Sequence, residues 1–307
     1  MSIISILLTV LGLGLFETVS SVDNAVINAE VLSTMRPKAR RWFLVWGMLF
    51  AVFAIRGLLP WLIVWLASPG LGPVEALTAS FSSSPDSPAL QAIKATAPLL
   101  LMGGGVFLFF LFFHWLFLER KQYALIGERF FFRHGVWFYA IISVILSFIV
   151  WQSLKVNPFL AFAAVVGSSA FFIVHGFKEN AAAREKDLIQ TGLSDVSKIF
   201  YLEVIDATFS IDGVLGAFAF TLSVPLILLG NSLGALVVRQ MTVKNIDSIK
   251  KYVYLKNGAM YSILFLGIIM ILRGFGFNIP EWISPLTTFA AVGYFFLKSK
   301  TVLKNRI

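Results

Sequence analysis

The chain has 307 residues, of which 58% are hydrophobic, 15% aromatic and only 13% charged, with a formal net charge of +9 and no cysteine. That balance excludes an ordinary soluble domain. The missing thiol excludes disulfides, thiolate metal sites and cysteine nucleophiles, so any metal must be held by oxygen or nitrogen. Several apolar runs of about twenty residues predict an all-α polytopic membrane protein, a single transmembrane domain over 1–307 whose first partner is the lipid bilayer. The basic residues fall in short loops between those runs, which makes them orientation signals rather than a nucleic-acid surface. No nucleic-acid partner is expected.

The first predicted segment runs from Ile3 to about Val31, apolar to Phe16 and polar from Glu17 to Asn28. Its start is like a signal peptide but lacks a basic n-region, so a retained span is expected. Arg36, Lys38, Arg40 and Arg41 follow as a cytoplasmic loop, and the second segment, Phe43 to Leu66, carries Arg56 near its middle. Residues 68–95, rich in Ser, Pro and Gly, are predicted as an outside loop. Pro98 to Leu118 is the third segment, Val136 to Trp151 the fourth, and Asn157-Pro158 a tight turn before the fifth, Phe159 to Phe177. The sixth is predicted at Ile199 to Leu229, the seventh at Asn231 to Val243, the eighth at Gly258 to Leu272 and the ninth at Trp282 to Leu297. About nine spans put every basic loop on one side, with the N-terminus outside and the C-terminus inside.

Glu17-Thr18-Val19-Ser20-Ser21-Val22-Asp23-Asn24 in the first segment has a counterpart in Asp206-Ala207-Thr208-Phe209-Ser210-Ile211-Asp212 in the sixth. Aligned, Glu17 falls on Asp206, Ser21 on Ser210 and Asp23 on Asp212. A charged side chain at bilayer depth costs about 2.5–3.5 kcal/mol on insertion scales, so acids duplicated at one spacing point to function. The first segment runs inward and the sixth outward, the pattern of an inverted repeat with its site near the midplane. The first half-repeat covers about 1–118 and the second about 199–297.

At about 100° per residue, Glu17, Ser21, Asn24 and Asn28 share a helix face while Asp23 points near 240°. Asp206 and Ser210 share another face with Glu203, and Asp212 points away. Either the helices break around Ser20-Ser21 and Phe209-Ser210, or each off-face acid meets the opposite repeat. Both arrangements gather oxygen ligands at one point, and carboxylates converging in low dielectric need protons or a cation. Oxygen donors suit Mn²⁺, Mg²⁺ or Ca²⁺. The competing reading is that the acids form structural ion pairs with Arg56, Arg239 or Lys256.

These motifs resemble the two signatures of the TerC family of integral membrane proteins. Leu229-Gly230-Asn231 with Arg239, and Tyr254-Leu255-Lys256-Asn257-Gly258-Ala259, are similar to that family's later segments. The resemblance implies the LysE-like transporter superfamily, which includes manganese exporters, and a location in a prokaryotic cytoplasmic (inner) membrane. By position it implies an ion site of Glu17, Asp23, Asn24, Asp206 and Asp212, with Ser21 and Ser210 adjacent. One departure is Gly213, where the family usually has Ser.

Accessory candidates are Glu203, Asn28, Arg56 as a counter-charge, Lys256, and His175 with Glu179 one helical turn on. His175 and Glu179 suit a cytoplasmic access site, a proton relay or an interfacial hydrogen bond, and His114 with Glu119 forms a similar pair. Gly103-Gly104-Gly105 is expected to serve close helix packing. The functional expectation is a secondary transporter that exports a divalent cation, Mn²⁺ foremost, as substrate. The alternatives are a membrane-embedded assembly or accessory factor with a structural ion site, and an exporter of a cationic amino acid or other organic solute. No organic cofactor and no enzymatic nucleophile–base arrangement is evident; a homo-oligomer is open.

Overall fold

The structure, a computed structural model, describes residues 3–50, 56–68, 70–76, 88–121, 123–190, 194–244 and 251–304. The principal helices are α1 (Ile3–Ser20), α2 (Val22–Ser33), α3 (Pro37–Trp42), α4 (Leu58–Ala67), α5 (Pro88–Leu118) and α6 (Ile126–Arg133). They continue with α7 (Phe138–Val156), α8 (Pro158–Gln190), α9 (Asp195–Ala217), α10 (Val224–Lys244), α11 (Leu255–Gly274) and α12 (Ile283–Lys304). No strand occurs among the described residues. Among the described residues, six helical stretches are long and apolar enough to cross a membrane: Ile3–Ser20, Gln91–Leu118, Gly135–Val156, Pro158–Asn180, Val224–Thr242 and Leu255–Gly274.

The central rod is α5, packed between α8 and α11, while α1 lies along α10 and touches α11 and α12. Met102, Val106, Phe107, Leu108, Phe110, Trp115 and Phe117 of α5 are all buried in the main apolar cluster. By contrast, α7 leaves Val144, Phe148 and Trp151 exposed, as a lipid-facing helix would. The triple glycine lets backbones approach. Gly103 meets Gly167 of α8, and Gly105 meets Gly267 of α11.

Several predicted boundaries shift. The first segment is helical throughout but interrupted at Ser21, where φ is −91° and ψ 5°. The Ser21 N–H still donates to Glu17 O at 3.1 Å, and Ala25 N–H to Ser21 O at 2.9 Å, so the interruption is a local distortion. The matching break near Phe209-Ser210 does not occur, because α9 runs unbroken from Asp195 to Ala217. The second segment is not a single rod: α3 passes into a π-helical turn, Phe43–Gly47, and a short helical turn, Met48–Phe50, and α4 starts only at Leu58. Residues 51–55 lie outside the described residues. The last eight residues of the predicted outside loop, 88–95, belong to α5; positions 69 and 77–87 are outside the description.

The predicted sixth segment is cut early. α9 stops at Ala217, and a buried turn of Phe218, Ala219 and Phe220 precedes α10. A non-helical backbone buried here needs partners for its polar groups. Ala219 O accepts from Arg273 Nη1 at 2.9 Å and from Ser284 Oγ at 2.6 Å. Leu229-Gly230-Asn231, expected between spans, therefore lies inside α10. The turn at Asn157-Pro158 forms as expected: Asn157 is extended at φ −160°, and its Oδ1 accepts from Phe159 N–H at 2.9 Å.

Arg36, just before α3, reaches the first turn of α9, where its Nε is 2.6 Å from Asp195 Oδ2. That hydrogen bond holds the Asp195 carboxyl below the usual carboxylate range. The folded value is lowered, so the contribution is complete above the ordinary range and fades as pH falls through the lowered value. Because Arg36 is 85% exposed, the effect is small. Asp195→Asn is expected to lower the melting temperature slightly near neutrality and to have no effect in strong acid, as thermal unfolding across pH will show.

A Cβ on Gly167 would collide with the Gly103 carbonyl, whereas one on Gly176 meets nothing within 4 Å. Gly167→Leu is expected to destabilise the α5–α8 packing by at least about 1–3 kcal/mol, and Gly176→Leu to leave it intact. Thermal unfolding of the detergent-solubilised pair checks this.

Candidate functional site

Glu17 lies in the last turn of α1 and Asp206 in the middle of α9, and Arg56, just ahead of α4, reaches between them. Arg56 Nη2 is 2.7 Å and Nε 2.9 Å from Glu17 Oε1. Its Nη1 is 3.2 Å from Asp206 Oδ2. All three are buried: Glu17 is 1% exposed, Arg56 4% and Asp206 9%. Charges this deep persist only when matched and hydrogen-bonded. Ser21 Oγ adds a hydrogen bond to Glu17 Oε1 at 2.9 Å, and Asn24 Nδ2 one to Asp206 Oδ1 at 2.5 Å. Two polar residues of the first motif thus support acids of both motifs.

Gly213 shapes this cluster from the far side. A Cβ there would lie 2.6 Å from Glu17 Oε2. The departure from Ser noted above is therefore what leaves room for the Glu17 carboxylate. Ser210 takes no part in the charge cluster; its hydroxyl donates to its own helix, at Asp206 O, 2.6 Å away.

Beside the cluster is a cavity of about 60 Å³ lined by Asn24, Asn28, Arg56, Glu203, Asp206 and Arg239, among others. Both carboxylate oxygens of Glu203 and the amide oxygens of Asn24 and Asn28 are buried without hydrogen-bond partners. With every group ionised, the carboxylates of Glu17, Asp206 and Glu203 outnumber the guanidiniums of Arg56 and Arg239 by one. A pocket of unpartnered carboxylate and carboxamide oxygens is a site that a cation would satisfy.

The remaining candidates are placed elsewhere. The expectation of a single meeting point for the acids is corrected at Asp212, which forms an ion pair with Lys178 of α8. On an unbroken α9, six residues separate Asp212 from Asp206 by about 240°, so the two leave the helix on different sides. Asp212 lines a second cavity, of about 630 Å³, together with His114, His175, Lys178, Glu179 and Lys256. Lys256 pairs with Glu119 rather than with a motif acid. The side chain of Asp23 lies outside the described residues.

Sequence reasoning treated His114 and His175 as members of two separate pairs, but their rings meet with centroids 3.8 Å apart. The available signal was their equal depth, since each lies near the C-terminal end of its apolar stretch and α5 and α8 run parallel. Glu128 was also missed: it is 1% exposed and accepts from Asn257 Nδ2 at 2.9 and 2.8 Å, joining α6 to α11.

Removing Arg56 would strand two buried carboxylates. Arg56→Gln is expected to cost about 3–5 kcal/mol, and the triple change Glu17→Gln, Arg56→Gln, Asp206→Asn to recover most of that loss. Melting temperatures of the single and triple variants in detergent provide the check.

No curated protein and no solved structure matches the chain. A family model, described as "Protein of unknown function (DUF475)", matches residues 22–307, which is most of the length and begins just after Glu17 and Ser21. The chain belongs to the DUF475 family.

Proposed function

We propose that the protein is a secondary transporter that moves a divalent cation, Mn²⁺ foremost, out of the cytoplasm by alternating access. The observation that carries this reading is the buried, unpartnered oxygen set of Glu203, Asn24 and Asn28 beside the Glu17–Arg56–Asp206 cluster. Carboxylate and carboxamide oxygens are the ligands that hard divalent ions prefer. Arg56 then serves as the internal counter-charge. While it occupies Glu17 and Asp206 it offsets half of their charge; an arriving ion, first held by Glu203 and the two carboxamides, takes its place on them. Ligand carboxylates must be deprotonated, so proton influx is the natural partner for ion release.

The nine crossings, the inverted repeat and the outside N-terminus form part of the same proposal. The inverted repeat is supported by the meeting of Glu17 with Asp206, the equivalent positions of the two motifs, on one arginine. The resemblance of those motifs to TerC signatures points the same way. A second reading, an assembly factor with a structural ionic centre, is favoured by the close pairing of Glu17 and Asp206 with Arg56.

The test is Mn²⁺ flux in proteoliposomes, comparing wild type with Glu203→Gln and Asp206→Asn. A drop of roughly tenfold or more is expected in each, with rates compared per folded protein because Asp206→Asn also removes a partner of buried Arg56. Wild-type rates in both variants would overturn the transport site, and absence of flux in the wild type would favour the assembly reading.

A further inference from the structure

We propose that His114, His175 and Glu179 form a second metal site, selective for borderline divalent ions of the Zn²⁺ and Co²⁺ class and separate from the Glu17–Arg56–Asp206 centre. One ligand atom from each of these residues lies within 4.8 Å of the others. Bonds of about 2.0–2.2 Å in tetrahedral geometry put ligand atoms roughly 3.4 Å apart, so small side-chain rotations close the set. The two imidazoles already meet, with ring centroids 3.8 Å apart. His175 Nε2 is 3.3 Å from Glu179 Oε1, and that nitrogen is buried and makes no hydrogen bond.

The architecture holds the ligands in place. His175 and Glu179 are four residues apart on α8 and share its face, while His114 approaches from α5. Phe171 stacks on the His175 ring at 5.5 Å, and Phe138 sets its edge against His114 at 5.5 Å. Aromatic walls of this kind fix imidazole orientation before an ion arrives. Glu179 is 72% exposed, so the set opens toward water at the basic ends of the two helices.

The surrounding charge permits a cation. Lys178, on the same turn of α8, is engaged by Asp212, and the Lys121 ammonium is held by the carbonyls of Trp115 and Leu116 at 2.6 and 3.0 Å. Asp212 Oδ1, buried without a partner, belongs to a residue lining the same cavity. Two imidazole nitrogens and one carboxylate leave a fourth position for water or a further ligand, the arrangement of an open rather than a closed zinc site. Nitrogen donors distinguish this set from the all-oxygen one and select a softer ion.

The test is a titration of the purified full-length protein in detergent with Co²⁺ alone, reading its visible absorption, followed by displacement with Zn²⁺. Wild type is expected to develop a saturable visible band that Zn²⁺ abolishes. His114→Gln, His175→Gln and Glu179→Gln should each weaken Co²⁺ binding roughly tenfold or more, whereas Glu281→Gln, at an exposed acid outside both cavities, should leave it unchanged. Glu179 is exposed, so its variant keeps the fold and isolates the ligand effect. Absence of a band in wild type, equal binding in the histidine variants, or unchanged binding in Glu179→Gln would each overturn the three-ligand site. Because the readout is equilibrium binding, it is independent of Mn²⁺ flux.

Discussion

The polar architecture depends on one guanidinium shared by two acids from distant parts of the chain. At an effective dielectric of about 20, unit charges about 3 Å apart attract by roughly 5 kcal/mol, while burying each ion costs several kcal/mol. Gain and cost are of the same order. The Glu17–Arg56–Asp206 cluster is therefore a poor source of net stability but a strong constraint. Each member is tolerable only while the others remain, which fixes how α1, α4 and α9 stand to one another. A centre balanced in this way can be tipped by a modest change in charge.

The two cavities divide the chemistry. On one side of α9, carboxylates and carboxamides gather with two arginines; on the other, Asp212 and Lys178 share a larger space with two imidazoles. An unbroken helix makes this partition unavoidable, because acids six residues apart cannot face the same way. The first motif is different. Its distortion at Ser21 leaves Ser21 on Glu17 and Asn24 on Asp206, so a single irregular turn serves acids from both motifs.

Much of this was legible in the chain itself. Hydropathy found the long apolar helices, an interruption at Ser20-Ser21 was one of two arrangements that the opposed faces of Glu17 and Asp23 allowed, and Asn157-Pro158 announced its turn through local chemistry. The pairing of Glu17 with Asp206 was implied by the repeat. What escaped was tertiary. The end of α9 at Ala217 was hidden because the residues around Phe218–Val224 are apolar and continue the hydrophobic run, although Pro225, in the first turn of α10, was a usable start signal. The partnerships of Asp212 with Lys178 and Lys256 with Glu119 join different helices, and no spacing rule along the chain encodes them. The meeting of His114 and His175 required knowing that α5 and α8 lie side by side.

The bare α-carbon at Gly213 has a mechanical implication. Glu17 of α1 rests in the notch it leaves on α9, one helix bearing against a gap in the other like a tooth in a gear. Any rotation of α9 about its long axis that carries Asp206 away from Arg56 must also sweep the notch past Glu17. A turn of α9 thus moves Asp206 and the seat of Glu17 together.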